Sequence, residues 1–186
     1  ASGCVLVLHD ITDMQRLHKQ LRYQASHDPL TDLINRREFE KMLQQAMRRI
    51  RRSDQPLVLF YMDLDNFKVV NDSCGHAAGD ELLKGVTQLL STRFRESDVI
   101  ARLGGDEFGA LLENCTIENA RQVAEEVRKS IAGFRFAWGK HNFNIGVSIG
   151  MVLVDKDSSL SDAMSQADSA CYVAKDVGRN RIHVYE

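Results

Sequence analysis

Hydrophobic residues recur along the chain with two different periods, and these periods predict alternating helices and strands. From Ile11 to Ala25 the apolar positions are three and four residues apart, which is the seam of a short coiled coil. The same helical spacing predicts a second helix from Arg36 to Arg52. Leu57 to Met62, by contrast, is an unbroken apolar run, as is typical of a strand buried on both faces.

The remaining segments continue this alternation to the C-terminus. Phe67 to Asp72 predicts one or two helical turns, and the segment bracketed by Gly75 and Gly79 predicts a turn. Further helices are predicted at 80–94, 117–134 and 160–175, and further strands within 98–112, 142–154 and 181–185. We therefore expect an α/β domain with one mixed sheet of about five strands covered by helices, because hairpin strands are antiparallel whereas helix-linked strands can cross over.

Composition narrows the class of protein. The 186 residues, 44% of them hydrophobic, are enough for one domain with a proper core and a short appendage. A net charge of −2 provides no field that favours nucleic acid. The four cysteines are far apart, which fits a reducing compartment, and no apolar run approaches the roughly 20 residues that span a bilayer. We expect a cytoplasmic domain without nucleic-acid or membrane contact of its own.

The N-terminal helix has two open interpretations. The chain starts at Ala1 within a strand pattern and without Met, so we expect a fragment of a longer protein whose membrane attachment is left open. Pro29 separates the first helix from the compact region. That helix either packs on its own domain or forms a parallel contact with a second chain, and its heptad spacing slightly favours the second.

A glycine pair followed by two acids, Gly104 to Glu107, lies between two β-prone runs and predicts a tight hairpin with carboxylates at its tip. Adjacent glycines permit positive φ and leave no side chain between the turn and a docked ligand. Two carboxylates repel a bare phosphate, so phosphate binding here requires a divalent cation. On these residues alone, an ordinary solvated hairpin is the alternative.

Acids from two distant segments are candidates to share that cation. Asp63 follows the buried strand, and Asp106 lies in the hairpin. Magnesium usually takes one or two carboxylates together with phosphate oxygens, and the Leu64 carbonyl adds a further ligand. Asp63 could instead cap the following helix, but a second acid at Asp65 favours metal binding.

Three basic residues and two further polar residues are candidates to bind the phosphates and the base of a nucleotide. Lys68, Lys175 and Arg179 are candidates to neutralise phosphates, although each alone is typical of a surface charge. Asn71 and Asp80 are candidates to bind the base. A carboxylate that accepts from N1–H and the exocyclic amine, beside an amide, selects guanine over adenine. Helix capping is the alternative role of both.

Several stretches of the chain, in order, resemble the GGDEF family, the diguanylate cyclases of bacterial second-messenger signalling. They are Asp28–Arg37, Met62–Lys68, Asn71–Asp72, Gly75–His76, Gly79–Asp80, Arg102–Phe108, Ser148–Gly150 and Ala174–Asn180. One such stretch is weak evidence, but their order and spacing are specific. The resemblance implies a palm-like fold similar to nucleotide cyclases, and condensation of two GTP into cyclic di-GMP with release of two pyrophosphates.

The resemblance also implies a role for each candidate residue. By the family pattern, Asp63, the Leu64 carbonyl and Asp106 hold Mg²⁺ or Mn²⁺, and Asn71 and Asp80 bind guanine. The substrate and its phosphates are contacted by Gly104, Gly105, Lys68, Lys175 and Arg179. Glu107 lies near the attacking 3′-hydroxyl or a second metal. Each domain holds one GTP, which implies a head-to-head homodimer. Arg95 and Asp98 match the RxxD site for inhibition by the product, with a local helix-to-strand corner as the alternative.

The resemblance divides the chain into residues 1–27, similar to the end of a PAS sensor with a coiled-coil signalling helix, and residues 28–186, the GGDEF domain. An alternative function is a non-catalytic GTP-binding domain that regulates a downstream EAL phosphodiesterase, since the C-terminal segment also resembles domains that precede one. The intact Gly104 to Phe108 motif favours the active enzyme. An adenylyl-type cyclase would require Asn71 and Asp80 to tolerate adenine.

Overall fold

The computed structural model describes residues 12–53 and 55–185. The elements in chain order are α1 (Thr12–Ser26), β1 (Ile34–Asn35), α2 (Arg36–Ile50), β2 (Leu57–Asp65), α3 (Phe67–Cys74), α4 (His76–Ser91), β3 (Val99–Gly104), β4 (Glu107–Glu113), α5 (Ile117–Ala132), β5 (Arg135–Trp138), β6 (His141–Asn144), β7 (Gly146–Leu153), α6 (Leu160–Asp176) and β8 (Ile182–Val184).

Six of the strands form one mixed sheet in the order β1-β3-β4-β2-β7-β8. The central strand β2 is antiparallel to both β4 and β7, whereas β1 pairs with β3 and β8 pairs with β7 in parallel. The predicted mixed sheet is therefore confirmed, with one strand more than expected. The additional strand, β1, is two residues long and too short to show a period.

The core lies on both faces of β2, all nine residues of which are buried. Phe60 and Met62 pack into the cluster beneath α4 and α5, while Leu59 and Tyr61 pack into the cluster beneath α2 and α6. Neighbouring residues of a strand point to opposite faces, so an unbroken apolar run covers both. The prediction of a strand buried on both faces is confirmed.

Helix α6 lies directly on β7 because both elements present small residues at their contact. A Cβ atom at Gly150 of β7 would overlap the backbone of Ala167 and Cys171 in α6. The buried face of the helix consists of Ala163, Ala167, Ala170, Cys171 and Ala174. This close approach brings the last turn of α6 over the C-terminal end of β2.

Two predicted boundaries are wrong. Helix α4 begins at His76 rather than Asp80, since Gly75 alone, at φ +82°, makes the break after α3 and Gly79 lies inside the helix. The predicted strand within 142–154 is two strands, of which β6 pairs with β5 in a separate hairpin while β7 enters the main sheet. Alternation alone does not reveal which partner each half pairs with.

Helix α1 presents an apolar face that the rest of the described chain does not cover. Met14, Leu17 and Leu21 are 63%, 56% and 53% exposed, so the interpretation that this helix packs on its own domain is wrong. The end of the helix is nevertheless attached, because the Tyr23 hydroxyl donates to Asp32 Oδ1 at 2.7 Å. The strand pattern and other expectations at residues 1–11 lie outside the described residues. Within 12–53 and 55–185, no helix has the length and hydropathy needed to cross a bilayer.

Candidate active site at the hairpin

The pairing of β2 with β4 brings the predicted acids together. Asp63 lies directly opposite Glu107 in the antiparallel register, and the backbone N–H of Leu64 donates to the carbonyl of Asp106 at 3.2 Å. Residues directly opposite each other on antiparallel strands point to the same face. The end of the central strand and the tip of the hairpin therefore form one acidic site.

The hairpin turn is held in place by Arg102 of β3 together with Asp28, which lies outside the sheet. Gly104 and Gly105 have φ values of +146° and +52°, as their predicted role requires, and the space where their Cβ atoms would lie is open. The guanidinium of Arg102 donates to the Gly105 carbonyl at 3.0 and 2.9 Å and also to Asp28. The glycine turn thus keeps a fixed position while leaving room for a ligand.

Asp63 lies in an environment with excess negative charge. Burial and the nearby carboxylates of Asp106 and Glu107 together raise the pKa of Asp63 to about 6, against the lowering effect of Lys175. Lys175 Nζ lies 2.6 Å from Asp63 Oδ2. Although burial opposes its charge, this contact raises the pKa of Lys175, which stays an ammonium ion. The site therefore holds three acids, one of which is paired with an ammonium group.

The donor set fits Mg²⁺ or Mn²⁺. Two carboxylates, Asp63 and Asp106, and the carbonyl of Leu64 would supply hard oxygen ligands. A divalent cation would also offset the burial and the repulsion that raise the pKa of Asp63. The described residues contain no group of three or more His, Cys, Asp or Glu side chains arranged to hold a metal by themselves. Magnesium sites that bind nucleotides commonly draw further ligands from phosphates and water.

Asp65 does not belong to the acidic site, contrary to the weight given to it from the sequence. It is 3% exposed, accepts from Ser148 Oγ at 2.8 Å, and accepts from the backbone N–H of Asn180 at 2.8 Å. The second bond fixes the turn in which Gly178, Arg179 and Asn180 all have positive φ. Asp65 is therefore a tether for the segment that carries Arg179, a role that no local pattern indicates.

The candidate base-binding residues come from two adjoining helices. Asn71 lies in α3, and Asp80 lies exposed in α4, where Gly75 rather than Asp80 takes the N-cap position. The Asn71 Oδ1 atom is buried without a hydrogen-bond partner, the one such side-chain atom in the part of the chain described. An unpaired buried acceptor indicates a missing donor or a position held for function. The structure leaves Lys68 and Arg179 exposed.

Arg95 and Asp98 lie apart from the acidic site, at the corner between α4 and β3. Asp98 Oδ2 accepts from the backbone N–H of Arg95 at 2.9 Å, so the local corner expected as an alternative is present. Both residues also line a cavity of about 300 Å³ together with Arg93, Glu113 and Glu126. A local corner and a ligand site are therefore compatible here.

The site combines the end of a buried strand, a glycine hairpin and the end of a helix. Comparison of the sequence with protein-family models identifies the family to which such a site belongs. Residues 25–181 match the family model described as diguanylate cyclase, GGDEF domain. The chain belongs to the GGDEF family.

Relatives of this GGDEF domain include both a protein named as a cyclase and a protein named as a phosphodiesterase of cyclic di-GMP, each much longer than this chain. The chain is 45% identical over 185 residues to the probable diguanylate cyclase DgcE of Escherichia coli K12, covering 99% of this chain and 17% of that protein. It is 34% identical over 185 residues to the cyclic di-GMP phosphodiesterase PdeB of Shewanella oneidensis, covering 99% of this chain and 21% of that protein. The chain thus spans about a fifth of the length of these relatives.

Solved structures agree with the fold. The coiled coil and GGDEF domain of DgcB from Caulobacter crescentus, in complex with c-di-GMP, superimposes with a TM-score of 0.89 at 27% identity, covering 94% of this chain and 93% of that one. The active GGEEF domain of a diguanylate cyclase from Vibrio cholerae gives a TM-score of 0.77 at 35% identity, covering 83% and 98%. The expected resemblance to diguanylate cyclase structures is confirmed.

Proposed function

We propose that this GGDEF domain condenses two GTP into cyclic di-GMP with release of two pyrophosphates, using Mg²⁺ or Mn²⁺. The observation that carries the proposal is that Asp63, Asp106 and Glu107 lie together beside the open glycine turn, with Lys175 paired to Asp63. An acidic site of this kind needs a cation before a triphosphate can approach, and the glycine pair leaves space for that approach.

Asp63, the Leu64 carbonyl and Asp106 would hold the metal, which supplies charge neutralisation at the phosphates when bound. Lys175 is the partner of Asp63 in the protein alone. Since a cation on Asp63 competes for the same carboxylate oxygens, Lys175 would then turn its ammonium group to a phosphate. Lys68 and Arg179 approach the phosphates from α3 and from the turn after α6.

The base would lie between α3 and α4. Asp80 accepts from N1–H and the exocyclic amine of guanine, while the Asn71 carboxamide both donates and accepts. Adenine lacks that pair of donors, because its N1 is an acceptor, so it leaves part of the Asp80 carboxylate without a partner. Selection by an unpaired polar group is stronger than selection by shape alone.

In the reaction, the 3′-hydroxyl oxygen of one GTP bonds to the α-phosphorus of the other as the bond from that phosphorus to the pyrophosphate oxygen breaks. Glu107, which pairs with Asp63 across the two strands, would accept the hydroxyl proton. The residues contribute mainly by orientation and charge, which is the usual basis of phosphoryl transfer. Because each domain binds one GTP, two copies must face each other, and the active species is a homodimer.

The chain has two further proposed features. Arg95 and Asp98, which line one cavity, bind the product and inhibit the enzyme. Residues 28–186 are the cyclase domain, and residues 1–27 are the end of a PAS sensor with a signalling helix whose exposed apolar face, including Met14 and Leu21, pairs with a second copy. We place the domain in the cytoplasm.

A second candidate function is GTP binding without turnover, in which the domain regulates an EAL phosphodiesterase later in the same protein. The observation that favours it is the similarity to the phosphodiesterase PdeB, since 99% of this chain aligns with about a fifth of that protein. A regulatory domain would bind GTP at the same residues without forming cyclic di-GMP.

One experiment separates the two candidates. The purified chain is incubated with GTP and Mg²⁺, and cyclic di-GMP and pyrophosphate are quantified by chromatography. The proposed enzyme yields one cyclic di-GMP for two pyrophosphates, and Asp106→Ala abolishes both. Saturable GTP binding without any dinucleotide supports the regulatory domain, and absence of both binding and product refutes each proposal.

A further inference from the structure

Gly79 occupies a position in α4 where a glycine has no local purpose. It is the fourth residue of a 16-residue helix, it is buried, and its backbone does not require positive φ. Glycine in a helix interior is less favourable than alanine because it loses more conformational freedom on folding. The reason for its presence must therefore lie in what it packs against.

The neighbour of Gly79 is the carboxamide of Asn71. A Cβ atom at position 79 would overlap Asn71 Oδ1 and lie 3.0 Å from Asn71 Cγ, with Phe67 Cζ next at 3.1 Å. All three atoms belong to α3, so Gly79 lies where α4 packs closely against α3. The same Asn71 oxygen is the buried atom that lacks a hydrogen-bond partner.

We propose that Gly79 is a positioning residue for base recognition: its missing side chain lets the Asn71 carboxamide lie against α4 beside Asp80. This inference rests on the proposed function, in which Asn71 and Asp80 bind guanine. Asp80 is the next residue along α4, so the contact with Gly79 holds the carboxamide against the same turn of α4 that carries the carboxylate. The Asn71 side chain is thereby held in place before the nucleotide arrives, at the expense of an unpaired acceptor.

The geometry separates folding from binding in a Gly79→Ala variant. The overlapping atoms are the end of a flexible side chain, so rotation of Asn71 relieves the clash without moving the backbone. Alanine also favours the helix. We expect the variant to fold and to melt at or above the wild-type temperature, while the displaced carboxamide no longer meets the base.

The test measures the dissociation constant of a GTP analogue with a non-cleavable α,β-methylene bridge, in Mg²⁺, by titration calorimetry. Gly79→Ala should weaken this binding about tenfold, as loss of one to two hydrogen bonds predicts, and should match Asn71→Ala. In steady-state assays the loss should appear in KM for GTP more than in kcat. The corresponding ATP analogue should bind weakly, and with the same dissociation constant, to the wild type and to Gly79→Ala.

A double-mutant cycle identifies the pathway of the effect. In the Asn71→Ala background the carboxamide is gone, so Gly79→Ala should cause no further loss of affinity. Equal losses in both backgrounds would mean that Gly79 acts through other packing, and wild-type affinity in the single variant would mean that it does not position Asn71; either result overturns the inference. If Gly79→Ala alone unfolds while the double variant folds, the contact with Asn71 is confirmed; unfolding of both overturns it.

Gly85 offers a matched control in the same helix. A Cβ atom there would lie 2.8 Å from Phe134 Cζ, on a different neighbour from Asn71. Gly85→Ala should lower the melting temperature and leave the affinity of the folded protein for the GTP analogue unchanged. If the wild-type protein forms cyclic di-GMP and the Gly79→Ala variant binds the GTP analogue with wild-type affinity, this inference alone is refuted. If the wild-type protein neither binds GTP nor forms product, the proposed function is refuted.

Discussion

The guanidinium of Arg102 donates to both carboxylate oxygens of Asp28, at 3.1 and 3.2 Å, and joins the start of the domain to the hairpin. Asp28 also accepts from the backbone N–H and the hydroxyl of Thr31, at 2.9 and 2.7 Å. Although its burial acts in the opposite direction, these bonds to Thr31 and Arg102 keep the pKa of Asp28 below its ordinary value. The position of the glycine turn thus depends on a segment far from it in sequence.

Replacing Asp28 with Asn should therefore loosen the hairpin. We expect a loss of about 1–2 kcal/mol in the free energy of unfolding, because Arg102 loses a charged partner that is largely shielded from water, and a fall in kcat through the displaced acids. Chemical denaturation and the rate of cyclic di-GMP formation measure the two effects. Glu40→Gln removes an exposed ion pair with Arg36 and should change stability by less than about 0.5 kcal/mol. Equal effects of the two substitutions would contradict this role of Asp28.

The pKa of Asp63 predicts how stability depends on pH. Because its pKa rises from 3.8 to about 6 on folding, the ionised carboxylate destabilises the folded state. The cost is absent below pH 4, develops between pH 4 and 6, and reaches about 3 kcal/mol above pH 6. Relative to Asp63→Asn, the metal-free wild-type protein should lose this much stability over that range, and Mg²⁺ should restore part of it. If the free energy of unfolding, measured in chelator, changed with pH in the same way for wild type and Asp63→Asn, the predicted cost would be excluded.

Asp65 should affect GTP binding through the turn that carries Arg179. Asp65→Asn weakens the bond to the Asn180 N–H, so we expect KM for GTP to rise about tenfold and stability to fall by about 1–3 kcal/mol. Ser148→Ala is the control, since it removes the other bond of Asp65 and leaves the turn attached. The free energy of unfolding of that variant should fall by about 1 kcal/mol, and its KM for GTP should equal that of the wild type. A rise in KM for both would show that the turn is not the route of the effect.

Arg95→Ala should leave the initial rate of synthesis unchanged and relieve inhibition by added cyclic di-GMP. The reason is that Arg95 lines a cavity away from the hairpin, where it is free to contact an anionic ligand. Initial rates over a series of product concentrations measure the effect, with the exposed Arg52→Ala as a control for loss of a positive charge. Equal inhibition of Arg95→Ala and wild type would remove the proposed inhibitory site.

Cysteine reactivity reports on packing at α6. Cys171 is 2% exposed, its thiol contacts the Ser148 carbonyl, and burial raises its pKa to about 12. Thiolate is the reactive form, so native protein at pH 8 should leave Cys171 unlabelled by iodoacetamide while the partly exposed Cys74 reacts. Peptide mass spectrometry with and without denaturant measures both sites. Labelling of Cys171 at the rate of Cys74 would show that α6 opens readily.

Features that depend on neighbouring residues in the chain were predictable from the sequence. The unbroken apolar run of β2, the glycine turn at Gly104 and Gly105, and the acids beside it each follow from local rules of strand burial and positive φ. The adjacency of Asp63 to the hairpin was a harder inference, and it succeeded because both lie at ends of strands that proved to be neighbours.

What only the tertiary structure decided concerns contacts between distant segments. Asp65 resembles a second metal ligand until its partners, Ser148 and Asn180, are brought to it across the sheet. Gly79 resembles a turn residue until α3 places Asn71 where its side chain would be. The sequence by itself determined the elements and the acidic hairpin, because periodicity and backbone freedom are local properties. Which polar groups are satisfied, and which side chains have room, depended on packing that no local pattern contains.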